Sequence, residues 1–397
     1  MGANLVNAAD LIADGVLRIE DGNHGEYRPL KHEFVDDGVP FIRAADMTSG
    51  VVDFAGAGRI DDVARARIRK GVGEPGDVLL SHKGTVGRVA VVPADAPDYV
   101  CSPQTTFWRS LDHDRLDQRF LRCALESNSM QRQLQVLMAQ TDMAPYVSLT
   151  DQRRLMVPLP PIDEQRAIAE VLGALDDKIA ANTRLVETLD ALRRARLQPM
   201  LDDAEPQPLS DIAEFVNGRA FTKDASGTGR VVIRIAELNS GLGGSTVYND
   251  IDVDDRHLAR PGDLLFAWSG SLTVHRWYRP EAIVNQHIFK VIPKDGYPMW
   301  CVNGVLQRKL AEFRAIAADK ATTMGHIQRR HLDEPVLVPR REVMERNDEL
   351  MSGLWQRALA AEMESERLAA TRDALLPLLM SGRVTVKDAQ SVVEGVA

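Results

Sequence analysis

Two separated regions of the chain gather side chains able to donate to phosphate oxygens and to base edges. The first holds "HGEYRPLKH" with His24, Tyr27, Arg28 and Lys31, then Arg43, then "SHKGTVGR" with His82, Lys83, Thr85 and Arg88, then Gln104. The second holds Arg219, Lys223 and Arg234, then "WSGSLTVHR" with Trp268, Ser269, Thr273, His275 and Arg276, then Gln286. Arginine, lysine and hydroxyl groups suit phosphates and guanine edges, and glutamine has the paired donor and acceptor that suit adenine. Any one of these residues alone reads as a solvated or internally paired side chain. Weight comes from finding the set twice.

Catalytic chemistry has no comparable signature. There is no G-x-x-x-x-G-K-[ST] phosphate loop, no G-x-G-x-x-G after a strand, and no Asn-Pro-Pro-aromatic stretch for gripping a flipped base. "GLGGS" (241–245) reads as a flexible turn, and "KHEFVDD" (31–37) as a solvated charged loop. The i, i+5 spacing in "HIQRRH" diverges on a helix, and Cys101, Cys123 and Cys301 follow no metal or disulfide spacing. No metal site, cofactor or enzymatic role is expected of this chain. "SHKGT" is the best seed for a rival enzymatic reading.

The elements that must position the two sets are themselves repeated. "PGDVLLSHKGTVGRVAVV" (75–92) parallels "PGDLLFAWSGSLTVHRWY" (261–278), with Asp77 and Asp263 in register. "FIRAADM" (41–47) parallels "VIRIAEL" (232–238), and "SPQTTFW" (102–108) parallels "VNQHIFK" (284–290), which sets Gln104 against Gln286. "LMVPLPP" (155–161) parallels "PVLVPRR" (335–341). Four matches in one order predict a duplication. "PGD" before an apolar run predicts a turn feeding a strand, and "VAVVP" and "VVIRI" read as strands. Helices are expected over "QRFLRCALESNSMQRQLQVLM" (118–138) and "WCVNGVLQRKLAEFRAI" (300–316).

A long helical pattern follows each copy. In the first, Ile168, Leu172, Leu175, Ile179, Asn182, Val186 and Leu189 alternate spacings of four and three, after Pro160 and Pro161 and a candidate N-cap at Asp163. In the second, Leu350, Leu354, Ala358, Ala361, Ser365, Leu368, Arg372, Leu375 and Leu379 repeat that seam. Each pattern predicts a rod of roughly 45–60 Å. A rod with one apolar seam needs a partner, and the simplest partner is the other rod. Asn182 inside the seam can fix register. The expected organisation is a head over 1–158, a helix over 159–205, a second head over 206–338, and a second helix and tail over 339–397. The fold class is α+β: two pseudo-symmetric α/β heads separated by two long helices in an antiparallel intramolecular coiled coil.

The composition is that of an ordinary globular chain, and no apolar run reaches the roughly 20 residues of a membrane span. The start, "MGANLVNAADLIADGV", lacks a secretory pattern, so a reducing cytoplasm is the expected location. A net charge of −9 argues against a general nucleic-acid coat but leaves room for basic faces on the heads. A coiled-coil scaffold whose heads bind proteins explains the rods and the charge. It does not explain duplicated heads with divergent polar loops.

These features together resemble the specificity subunit of type I restriction–modification systems. "PLPPIDEQRAIAEVLGALDDKIAANTRLVETL" is similar to that family's first spacer helix, particularly in its Pro-Pro, Glu164-Gln165, "LDDKI" and Asn182. "PGDVLLSHKGTVGRVAVV" resembles the family's target-recognition core, while "GVPFIRAADM" and "PLSDIAEFVNGRAF" resemble the openings of its two recognition domains. "LLPLLMSGRV" resembles the end of the second spacer. "VPRREVMERNDEL" departs from the pattern, with neither Pro-Pro nor Glu-Gln, and "LRIEDGNHGEYRPL" replaces a typical opening strand. The resemblance implies a non-catalytic reader of double-stranded DNA, each head taking one half of a bipartite asymmetric site and the coiled coil setting the gap. It implies adenine-N6 methyltransferase subunits as partners, usually two, holding S-adenosylmethionine. A restriction subunit using ATP and Mg would be a further partner. Leu185 and Leu192, beside the seam, are candidate docking positions for methyltransferase helices.

Overall fold

The structure, a computed structural model, describes residues 4–48, 50–139, 144–319 and 325–396. The chain divides into two units, Met1–Asp177 with Ala369–Ala397, and Lys178–Leu368. The architecture is α+β.

In the first unit a six-stranded sheet runs in the order Leu17–Asp21, Thr105–Ser110, Val78–Lys83, Thr85–Val91, Val51–Val52, Met47–Thr48. Leu79 stands between Phe107 and Ala90 in register. All three are fully buried, so the sheet centre is an apolar layer, with Ile42, Tyr99 and Cys101 packed on it. The expected single helix over 118–138 is two helices, Gln118–Glu126 and Asn128–Met138. Ser127 breaks it: its backbone is extended and its hydroxyl caps the second helix by accepting from Met130 N.

The second unit repeats the plan with two four-stranded sheets. One runs Ala213–Asn217, Ile288–Pro293, Leu264–Ala267, Thr273–Arg276. The other runs Val247–Asn249, Arg230–Ile233, Ala282–Val284, Leu258–Ala259. The helix Met299–Asp319 covers the first, with Trp300, Leu306, Leu310 and Phe313 buried among Leu264, Phe266 and Phe289.

The "PGD" turns form as the sequence predicts. Glu74-Pro75-Gly76-Asp77 closes with Asp77 N donating to Glu74 O, and Arg260-Pro261-Gly262-Asp263 closes the same way. Gly76 (φ 85°) and Gly262 (φ 98°) take the left-handed corner that such a turn demands, and each Asp carboxylate accepts from the first turn amide.

The two long helices span Ile162–Met200 and Arg341–Met380. The first begins at Ile162, so Asp163 lies in its first turn instead of capping it. Gln165 ties that turn down: fully buried, it accepts from Asp117 N and donates to Pro160 O and Arg115 O. In the first unit Ile168, Leu172 and Leu175 are buried, as are Leu375 and Leu379. Asp176 accepts from Arg372 at 2.7 Å and from Arg122 at 2.7 Å, binding the two long helices and the helix Gln118–Glu126 into one ionic cluster. In the second unit Asn182, 3% exposed, donates to Glu364 at 2.8 Å, and the Arg193 guanidinium lies over Trp355. Pairing of 182 with 364 and of 193 with 355 means the helices run antiparallel there. Asn182 thus has the polar partner on the opposite helix, half-buried Glu364, that a register-fixing residue needs.

The inner face departs from the predicted seam at one end. Leu350 is 46% exposed, while Met351 and Trp355 point inward and Leu354 is half-buried. The reason is a change of partner, since Met344, Met351 and Trp355 pack on the core of the second unit with Trp300 and Leu197. Leu368 is fully buried, Ile179, Leu185 and Leu189 are half-buried, and Leu192 is 40% exposed. Leu175→Ala should therefore cost about 2–5 kcal/mol in urea unfolding, while Leu192→Ala should stay within about 0.5 kcal/mol.

Candidate nucleic-acid interface

One set of backbone hydrogen bonds builds a loop cluster in each unit. In the first, His82 N donates to Gln104 O, Val147 N to His82 O, and Gly84 N to Pro145 O, while Ser102 N reaches Ile42 O. In the second, Trp268 N donates to His287 O, Ile327 N to Trp268 O, and Gly270 N to Gly325 O, while Asn285 N reaches Ile233 O. A glycine closes each cluster. Gly22 N donates to Thr105 O and Gly218 N to Ile288 O. A Cβ at Gly22 would stand 2.0 Å from Cys101 O, and one at Gly218 would stand 2.1 Å from Asn285 O, so neither position admits a side chain.

This frame defines which residues correspond. His82 matches Trp268, Tyr146 matches His326, and Gln104 matches His287, not Gln286 as residue identity suggests. The one-residue offset arises because the strand pairs are Leu264↔Val291 and Val78↔Trp108, counted from the aligned turn aspartates. His287 also holds a left-handed backbone, φ 74°, which few non-glycine residues adopt.

Four of the candidate contact residues are internal. His24, 6% exposed, bonds through Nε2 to Cys101 O at 2.9 Å. His82, 1% exposed, lies on the inner face of its strand with Nδ1 3.0 Å from Val147 O. Ser269 is buried in its bridge to His326. Arg276 is buried with Nε and Nη2 on the Glu362 carboxylate at 2.6 and 2.9 Å. None of these four can reach a duplex without unfolding its surroundings. Arg43 and Arg234 form another matched pair, each forked onto a carboxylate three residues on, Asp46 and Glu237. Their guanidinium groups stiffen the loop first and present charge second.

The surface donors are Tyr27, Arg28, Lys31, Lys83, Thr85, Arg88 and Gln104 in the first unit, with Arg219, Lys223 and Gln286 in the second. Lys83 stands over the Tyr146 ring at 5.9 Å, and Arg88 is steadied by Ala44 O. Trp268 is half-buried, bonded to Asn217 and tilted against His287 at 5.3 Å and His326 at 6.4 Å. Thr273 Oγ1 and His275 Nε2 lie 2.9 Å apart. Tyr146, His287 and His326 were not singled out by sequence. The backbone frame is what brings them to the cluster, and no motif marks it.

Among the described residues no group of three or more His, Cys, Asp or Glu could hold a metal, and no helix is long and apolar enough to cross a membrane. Burial pushes the Cys101, Cys123 and Cys301 thiols up to about 12, which keeps them protonated and unreactive.

Burial also lowers His24 and His82 below the usual 6.5. Both stay neutral in the fold while the unfolded chain protonates, so their effect is to lower stability as pH falls below 6.5. His82→Gln keeps a donor for Val147 O but does not titrate. Its unfolding midpoint should vary less than the parent's between about pH 7 and 5; an unchanged slope would clear His82 of the effect.

Comparison with known proteins gives these clusters a context. The type I restriction modification DNA specificity domain matches residues 15–191. The putative type I restriction enzyme MjaX specificity subunit of Methanocaldococcus jannaschii is 20% identical over 166 residues, 41% of this chain and 39% of that protein. The type I restriction enzyme EcoBI specificity subunit of Escherichia coli is 22% identical over 187 residues, 45% of this chain and 39% of that protein. The match thus spans about two fifths of each relative's length. The crystal structure of a type I restriction–modification system S subunit from M. genitalium shares the fold over 95% of this chain and 96% of its own, at a TM-score of 0.57 and 16% identity. Residues 15–191 thus match the type I restriction modification DNA specificity domain, and the chain is similar to type I specificity subunits.

Proposed function

We propose that the chain is a non-catalytic subunit that reads a bipartite, asymmetric DNA site and directs an adenine-N6 methyltransferase to it. Each unit reads one half-site through its loop cluster, and the paired long helices set the unread gap. The observation that carries this reading is one backbone frame built twice with different side chains at corresponding places: His82 against Trp268, Tyr146 against His326, Gln104 against His287. Equal frames with unequal side chains fit one task performed on two targets. Exposed lysines and arginines supply phosphate contacts on an otherwise acidic chain, and Gln104 and Gln286 supply base contacts.

The partner methyltransferase, two copies per chain in this reading, brings S-adenosylmethionine and the pocket for the flipped base. A restriction subunit brings ATP and Mg. The assembly works in the cytoplasm. Methyltransferase helices dock on leucines left outside the helix pair, Leu192 foremost.

Single-molecule methylome sequencing of cells expressing the chain with its methyltransferase should show N6-methyladenine in a two-part motif with a fixed gap. A control lacking the chain should show none. An assembled complex that adds no methylation would reject the reading. Lys83→Ala or Lys223→Ala should weaken DNA binding on all sequences and reduce the salt dependence by about one ion. Deleting one heptad from each long helix, about 10 Å, should shorten the gap by about three base pairs and leave both half-sites as they were. Leu192→Glu should abolish co-purification with the methyltransferase while the chain stays folded.

A further inference from the structure

A cavity of about 220 Å³ lies in the second unit, between the two long helices, the helix Met299–Asp319 and the strand Thr273–Arg276. Its walls are charged in an unbalanced way. Three arginines, Arg193, Arg194 and Arg276, face two carboxylates, Asp190 and Glu362. Arg276 uses up most of the negative charge, taking both oxygens of Glu362 and standing 3.4 Å from Asp190. Arg193 is left with Asp190 alone, through Nη2 at 2.6 Å.

That leaves Arg193 short of partners where shortage is costly. The side chain is 8% exposed, and its Nε has no hydrogen-bond partner among the described residues. A buried guanidinium with an unfilled donor is destabilising, the more so because the donor is charged. Desolvation holds its pKa below the usual arginine value, and the neighbouring Arg194 adds repulsion. A second polar group faces the same space: Asn303, 8% exposed, lines the cavity. The Arg193 and Arg276 guanidiniums both lie over the Trp355 ring, at 4.8 and 4.6 Å, which restrains both side chains at the cavity wall.

A guanidinium with an unfilled Nε donor, a second arginine and an amide around one small space are the donors that a single oxyanion takes up. The volume is ample for a small organic acid or a phosphate. We propose that this cavity binds a small oxyanion, phosphate or carboxylate, between Arg193, Arg194 and Asn303. The site is separate from the loop cluster, and its ligand would clamp both long helices to the head of the second unit.

The test is titration calorimetry and thermal unfolding of the full chain with sodium phosphate, with sodium acetate, and with sodium chloride at matched ionic strength. Saturable binding and a rise in Tm are expected for one of the two oxyanions and not for chloride. The one that responds identifies the chemistry. Arg193→Gln should weaken binding at least tenfold, whereas Arg346→Ala, which removes an exposed charge elsewhere, should not. Should Arg193→Gln fail to fold, Asn303→Ala removes only the amide and should weaken binding by a similar direction of effect. Equal responses to all three salts, or a foldable Arg193→Gln or Asn303→Ala variant that binds like the parent, would overturn the assignment.

Discussion

A helix of about forty residues with one apolar face cannot hold that face in water, and this chain has two of them. Everything else in the molecule is arranged around meeting that need. In the first unit Leu172 and Leu175 leave water together with Leu375 and Leu379, and in the second Ala358, Ala361 and Leu368 do so. Where the helices run beside a head, the head takes over as the apolar partner, through Leu197, Trp300 and Met351. Ionic clusters then fasten each head to both helices: Arg122 and Arg372 on Asp176 in the first unit, Arg276 on Glu362 and Asp190 in the second. Such pairs add little net stability, although removing Glu362 would leave the buried Arg276 charge short of its main partner. Their value is in fixing position.

The heads divide labour between backbone and side chain. Main-chain hydrogen bonds, two corner turns and two excluded Cβ positions hold the loops, and these features are the same in both units. Side chains at the tips then differ freely, because few of them help hold the loop. Arg43 and Arg234 are the exceptions, and they are alike in both copies.

Sequence made the rods, the turns and the pairing of copies legible because each rests on strong local rules: heptad spacing, a fixed proline φ, and a glycine corner. It failed where a tertiary partner overrode the local rule. Leu350 keeps the heptad spacing but faces outward because the core of the second unit draws in Met351 instead. Ser127 sits in an unbroken helical pattern and still separates two helices, its hydroxyl capping the second through Met130 N. Gln104 and Gln286 look equivalent until strand register shows that His287 holds the place. His82 belongs to a polar tripeptide that reads as loop, yet it lies in a strand buried from Val78 to His82 on both faces. Surface exposure at the tips is a property of register, and single residues do not carry it.

Gly22 and Gly218 leave no room for even a methyl group, while in the first unit's loop cluster Lys83, Thr85 and Gln104 stand open to solvent. This contrast draws a boundary for anyone randomising the molecule. Diversity placed at the open positions would be sampled by folded proteins, so a screen would report on what the tips touch. Diversity placed at the two glycines would be read only as lost expression. The chain thus marks out its own design alphabet, with the tips as letters and the glycines as punctuation.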